Sequence, residues 1–296
     1  MVSYRARGQA EGGNAVMASD LNLDPDLSTP AVVHRYVGAE RQQTEDRLAV
    51  EEPMQIRLAG EDVAVTMRTP GHDFELAAGF LFTEGVIAGR HHIEDISYCV
   101  GEDGRPAPNI VNVSPTERGL LEPGRWGRNF YSYSSCGLCG KTSIEQVTGV
   151  SMRGAVLGDG LRVPVRVLYS LEGTLRQAQS GFAQTGGLHA AALFDPEGNL
   201  LVLREDVGRH NAVDKVVGHA LLNDMLPLDR HILLVSSRAS FEIVQKAFRA
   251  GVPVMVVLSA PSSLAVQLAR QSGMTLVAFL RQGRLNVYAG EERIEP

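Results

Sequence analysis

The chain has 296 residues, 44% of them hydrophobic and 21% charged, with a formal net charge of −6. That composition suits one large globular domain or two small ones sharing an interface. The negative balance excludes a general nucleic-acid binder, yet it leaves room for a local basic pocket.

Residues 1–28 are rich in Gly, Ala, Ser, Asn and Asp and read as a flexible leader without the order of a secretory signal. No apolar run reaches the ~20 residues of a membrane helix. Three cysteines do not make a disulfide framework, so the expected setting is cytoplasmic and reducing. Residues 29–150 read as a mostly-β region. Met54, Ile56 and Leu58 alternate, as do Val63, Val65 and Met67, around the turn Ala59-Gly60-Glu61-Asp62. Asp73 stands at an N-cap position before Phe74, Ala77, Ala78, Leu81 and Phe82 at helical spacing, and Gly85 marks the stop. Asp73, Glu75 and Glu84 read as helix-end and surface charges. Short strands are expected at Ile93 to Val100 and Ile110 to Val113. From Ser114 to Gly140 the chain is rich in Gly and Pro with little periodicity, the pattern of a functional or mobile segment.

Residues 151–296 read as an α/β domain. A helix follows Ser170, with Leu171, Leu175, Ala178 and Phe182 on one face. Strands Leu188 to Phe194 and Leu200 to Arg204 flank the turn Asp195 to Asn199, and a helix carries Val213, Val216, Val217, Ala220 and Leu221. Strands at 231–236, 253–258 and 275–280 then alternate with helices at 240–250 and 262–271, and a last strand spans 284–288. That alternation predicts parallel pairing with right-handed crossovers.

Cys136-Gly137-Leu138-Cys139 carries the strongest chemical signal. Structural zinc needs four ligands, usually in two pairs, and the second pair is missing. A thioredoxin-type dithiol needs a strand before it and a helix after it, whereas a Gly-rich loop precedes this pair. A sulfur-carrying cysteine must be exposed, movable and reactive as thiolate. Ser134, Ser135, Gly137 and Gly140 fit that need, with Lys141, Arg125 and Arg128 able to stabilise an anionic sulfur. A zinc deaminase is disfavoured, because His189-Ala190-Ala191 lacks the Glu that shuttles the proton and the cysteine pair precedes the His.

An ordered set of motifs resembles the FdhD family, the formate dehydrogenase accessory sulfurtransferases. The segments are 79–85 (GFLFTEG), 135–140 (SCGLCG), 185–191 (TGGLHAA), 204–215 (REDVGRHNAVDK), 236–238 (SSR) and 279–284 (FLRQGR). The resemblance implies a sulfurtransferase that takes sulfur from a cysteine desulfurase as a persulfide on Cys136. It would pass that sulfur to molybdenum (or tungsten) cofactor bearing two pterin guanine dinucleotides, for a formate dehydrogenase client. Cys139 would be a second thiol, acting as relay or resolving group. A non-catalytic chaperone that only binds the cofactor is the other reading. The resemblance also implies a cytidine-deaminase-like α/β sandwich with an additional mostly-β N-terminal region, and a homodimer. No structural metal, nucleic-acid or membrane partner is expected.

The implied acceptor is a large anion, so a local cationic pocket is expected from Arg204, Arg209, His210, Arg238, Arg281 and Arg284. The resemblance assigns Phe279, Leu280, Arg281, Gln282, Gly283 and Arg284 to cofactor binding. His189 would orient persulfide or contact the ligand, or serve as a hydrogen-bonded structural residue. The stretch Ser236 to Ser240 ends a strand and opens a helix, which suits either phosphate or a plain N-cap at Ser240. Glu205 and Asp206 suit either reading of a guanine base or ion pairing with Arg209 or Lys215.

Overall fold

The computed structural model describes residues 26–101, 104–116, 157–158 and 160–296. Cys136, Cys139, Lys141, Arg125 and Arg128 lie outside them, as do most of the expected leader and the boundary near residue 150.

A six-stranded mixed sheet organises the chain. Its strands are β8 (His189–Phe194), β9 (Leu200–Asp206), β10 (Ile232–Val235), β11 (Val254–Val257), β12 (Thr275–Arg281) and β13 (Arg284–Ala289), in the order β13-β12-β11-β10-β8-β9. Only β10, β11 and β12 are mutually parallel, joined by the crossover helices α5 (Phe241–Arg249) and α6 (Ser263–Ser272). The expected parallel pairing fails at both margins. There β8–β9 and β12–β13 are hairpins, and a tight turn obliges antiparallel strands.

Side chains alternate across this sheet with period two. Ala190, Ala192, Phe194, Ile232, Leu234, Val254 and Val256 pack on one face with Leu168, Leu171 and Leu175 of α2 (Val165–Ala178). Ala191, Leu193, Leu233, Val235, Met255 and Val257 enter a larger core on the other face. That core is shared with α1 (Asp73–Thr83), α4 (Arg209–Leu222), α5 and α6, and with the inward face of a second sheet. The second sheet comprises β3 (Glu52–Leu58), β4 (Glu61–Arg68), β5 (Ile93–Val100) and β6 (Pro106–Pro115), in the order β4-β3-β6-β5. A short parallel pair, β7 (Val163–Pro164) and β14 (Ile294–Glu295), ties the C-terminus to the start of α2.

Several local readings need correction. The β3–β4 turn has positive φ at Ala59 and Gly60 (53° and 84°), as an I′ hairpin requires. A register shift at Ile56/Arg57 then turns both Val63 and Ala64 inward and leaves Val65 and Met67 exposed. Strict alternation cannot report such a bulge. Helix α2 starts at Val165, before Ser170, and Phe182 belongs to a separate short helix, α3 (Ser180–Thr185). His72, in the left-handed conformation, takes the N-cap position of α1, so Asp73 is its first residue. Nor is Asp73 a surface charge: it is buried and meets buried Arg68 at 2.9 Å. The long hairpin β1 (Ser28–Val37) and β2 (Glu40–Ala49) lies almost wholly in the region read as mostly β, but neither strand is marked individually in the sequence.

Helices α1 and α4 approach through two glycines. A methyl group at Gly79 would stand 1.8 Å from the Asp214 carbonyl oxygen, and one at Gly218 would stand 1.8 Å from that of Glu75. Beside this contact Lys246 of α5 is buried among Asp214 (2.9 Å), Glu84 (3.1 Å) and the Thr83 hydroxyl (2.9 Å). Burial pushes the Lys246 pKa down, but the two carboxylates more than offset it and hold the ammonium charged. Among the described residues, no helix is long and apolar enough to cross a membrane.

Candidate functional site: the carboxyl edge of the main sheet

In an open α/β sheet, ligand sites form outside the carboxyl ends of the parallel strands, where loops lead into helix N-termini. Here β10 leads into Ser236-Ser237-Arg238, β11 leads into Leu258-Ser259, and the end of β12 and the start of β13 span Phe279 to Arg284. Antiparallel pairing brings the start of β8 to the same edge, because Ala191 lies opposite Val235. His189, at that start, faces Asp206 at the end of β9. Helix α4 follows directly, with Arg209 as its first residue. The topology therefore gathers His189, Arg209, Arg238, Arg281 and Arg284 on one edge with the N-termini of α4, α5 and α6. Arg204 stays apart: its Nη2 donates to Glu75 at 2.8 Å within an internal cluster that includes His219. His210 is buried in the first turn of α4.

The helix starts differ in a way that matters for ligands. Ser262 caps α6 by accepting from the Ala265 N–H at 3.2 Å. Ser240 occupies the same position on α5, yet its side chain makes no capping bond and its Oγ is buried without a hydrogen-bond partner. Ser240 thus holds the N-cap position as expected but makes no capping bond, so its side chain leaves the first-turn N–H groups of α5 unsatisfied, with Glu242 in the same turn. Arg209 Nε is likewise buried without a partner. The two loops are pinned together, since Ala239 N–H donates to Ala260 O at 3.2 Å and Ser262 N–H to Ala239 O at 2.9 Å. Ser236 Oγ accepts from Ala190 N–H at 2.9 Å, which fixes the loop to β8.

Burial, followed by the nearby Arg209 guanidinium, holds the His189 pKa below its ordinary 6.5. The imidazole is therefore neutral at pH 7 and able both to donate and to accept. The carboxylates beside it face inward. Asp206 is fully buried and pairs with Lys215 at 2.7 Å, while accepting from the N–H groups of Gly208 (2.8 Å) and Thr69 (3.2 Å). Glu205 accepts from the N–H groups of Gly181 and Phe182, both at 2.8 Å. Both acids thus have internal partners, as the ion-pair alternative required for Asp206 with Lys215. Of the two ion-pair partners the sequence offered, Lys215 is the one that meets Asp206.

The β12–β13 turn is irregular, with positive φ at Phe279 (55°), Gln282 (44°) and Gly283 (75°). Leu280 anchors it in the core, while Phe279, Arg281, Gln282, Gly283 and Arg284 are exposed. Phe279 lies 6.5 Å from Tyr288, centroid to centroid. Among the described residues, Arg209, Arg238, Arg281 and Arg284 have no carboxylate within salt-bridge distance, and no cluster of three or more His, Cys, Asp or Glu is placed to hold a metal.

The model of the FdhD/NarQ family matches residues 49–295. The chain belongs to the FdhD/NarQ family. It is 54% identical over 252 residues to the "Sulfur carrier protein FdhD" of Mycolicibacterium paratuberculosis, covering 84% of this chain and 92% of that protein. It is 43% identical over 264 residues to the protein of the same description from Saccharolobus solfataricus, covering 88% and 95%. A crystal structure described as a candidate formate dehydrogenase accessory protein from Desulfotalea psychrophila superposes with a TM-score of 0.71 at 28% identity. It covers 91% of this chain and all of that one. The FdhD/NarQ match begins at the last residue of β2, so the β1–β2 hairpin lies almost wholly outside it.

Proposed function

We propose that this FdhD/NarQ chain carries sulfur for a formate dehydrogenase, as a sulfurtransferase with a persulfide on Cys136. The acceptor would be a molybdenum or tungsten centre bearing two pterin guanine dinucleotides, bound at the carboxyl edge of the main sheet. The observation that carries the acceptor half is the uncapped Ser240 helix start, set on one edge with arginines that lack carboxylate partners. Such a surface suits pyrophosphate, and the neutral His189 adds a donor beside it. The sulfur half rests on the sequence pair Cys136 and Cys139 and on the description of the relatives as sulfur carriers.

In this reading the Cys136 thiolate attacks the outer sulfur of a desulfurase persulfide, and the desulfurase thiolate leaves. Delivering that sulfur as sulfide requires two electrons. Attack of the Cys139 thiolate on Cys136 Sγ supplies them and leaves a Cys136–Cys139 disulfide. A cysteine desulfurase and the dehydrogenase catalytic subunit are the partners this chemistry needs, in the reducing cytoplasm and with the chain as a homodimer.

The test is peptide mass spectrometry after incubation with a cysteine desulfurase and cysteine. One added sulfur on the peptide holding Cys136, removed by reductant and absent in Cys136→Ala, is expected. If no sulfur is added while guanosine diphosphate still binds, a cofactor-binding chaperone becomes the better account.

A further inference from the structure

The opposite end of the main sheet holds a cavity of about 640 Å³ at the amino ends of β10 and β11. We infer that it is a second site, separate from the carboxyl edge, that binds a carboxylate carrying a short apolar body. Its wall is formed by the ends of α4 and α5, the 226–227 turn and the loop that follows α1. Phe82, Leu221 and Leu226 make the apolar surface, and Arg90 and Arg249 bring cationic groups to it.

Arg249 is fixed and incompletely partnered. Its Nε donates to the Phe82 carbonyl at 3.0 Å, and its guanidinium lies 5.6 Å over the Phe82 ring. Among the described residues its two Nη groups have no hydrogen-bond partner, and neither Arg249 nor Arg90 has a carboxylate within salt-bridge distance. Burial pushes the Arg249 pKa down, only partly offset by Glu84, which marks a cation short of counter-charge. Helix C-termini ordinarily disfavour an anion. Here chain N–H groups already close the terminal carbonyls: Met225 to Ala220 at 2.8 Å, Gly251 to Phe248 at 2.9 Å and Val252 to Ala247 at 3.1 Å. Arg249 thus brings to the lining a guanidinium whose two Nη groups lack partners among the described residues, beside apolar walls. A carboxylate matches that fork in shape and charge, and the cavity volume is that of small-molecule sites. Asp224 is the one acid among the described lining residues, and its repulsion disfavours ligands of higher negative charge.

Hexanoate and 3-phenylpropionate titrated calorimetrically into the full chain test the inference, with 3-phenylpropionamide as the neutral control. A dissociation constant below about 1 mM for an acid, at least tenfold tighter than the amide, is expected, being ~1.4 kcal/mol or more. Arg249→Met and Arg90→Met should each weaken the acid at least tenfold, while binding of guanosine diphosphate at the far edge is unchanged. Thermal melting checks that each variant is folded, and Arg249→Lys covers loss of the Phe82 contact by restoring part of the affinity. The inference is overturned if neither acid binds below about 1 mM, if the acid is less than about tenfold tighter than the amide, or if folded Arg249→Met or Arg90→Met loses less than about tenfold in affinity.

Discussion

Replacing Glu75 by Gln tests whether the α1–α4 crossing is held to the sheet by charge. The Glu75 carboxylate is 12% exposed and receives Arg204 Nη2 at 2.8 Å and His219 Nδ1 at 2.9 Å. Burial alone would raise its pKa, but the hydrogen bonds from Arg204 and His219 dominate and hold it at about 2, against an ordinary 4.5. A folded pKa below the unfolded one means that the stabilisation is complete above about pH 5 and is lost as pH falls toward 2. The full difference corresponds to about 3 kcal/mol, of which about 2 kcal/mol is gone by pH 3. Urea unfolding of wild type and Glu75→Gln at intervals from pH 7 to pH 3 measures this. The variant should be less stable at pH 7, and the gap should narrow as pH falls. A constant gap across that range would refute the argument, because Glu75 would then act by shape rather than by charge.

Lys246→Met leaves Asp214 and Glu84 facing each other in the core without a cation, and should cost about 3–5 kcal/mol by urea unfolding at pH 7. Gly79→Ala gains ~1 kcal/mol of helix propensity, but its methyl would need to move well over 1 Å from the Asp214 carbonyl. A net loss of about 2 kcal/mol or more, read as a lower melting temperature, is expected. Arg281→Ala and Arg284→Ala should each weaken guanosine diphosphate about tenfold by calorimetry, with a shallower salt dependence. Unchanged affinity in both would remove the β12–β13 turn from the acceptor site.

The α/β half was readable because each crossover helix carries its own start and stop residues and each central strand is continuously apolar, as between Ile232 and Val235. The β1–β2 hairpin escaped because β2 carries charges on both faces and β1 leaves Val32, Tyr36 and Val37 exposed, so no in/out periodicity marks either strand. Asp73, Glu75 and Glu84 were misread for a related reason. Their partners, Arg68, Arg204 and Lys246, come from other elements, and a sequence shows a carboxylate on a helix without showing what covers it. At the site the motifs located the right loops. Whether Ser240 caps its helix or stands free is decided by the placement of a single hydroxyl, which residue type does not encode.

The carboxylates of that edge explain how a chain of net charge −6 presents a cationic surface. Asp206 sits between two edge residues, His189 and Arg209, and would neutralise them if it faced solvent. Lys215 instead draws it inward from α4, and the N–H groups of Thr69 and Gly208 complete its bonding. Glu205 is turned onto the start of α3, and Glu172 is shared between Arg176 and the Gln282 N–H. Asp206, Glu205 and Glu172 thus have partners away from the edge, which leaves Glu242, in the first turn of α5, as an acid beside the arginines without an ion-pair partner among the described residues. Lys215→Met should therefore act on the site as well as on the fold. With its cation gone, Asp206 would pull Arg209 inward, and guanosine diphosphate affinity should fall by more than the loss of stability alone explains. Binding measured well below the melting temperature of the variant separates the two effects. An unaltered affinity would show that Asp206 holds its position without Lys215.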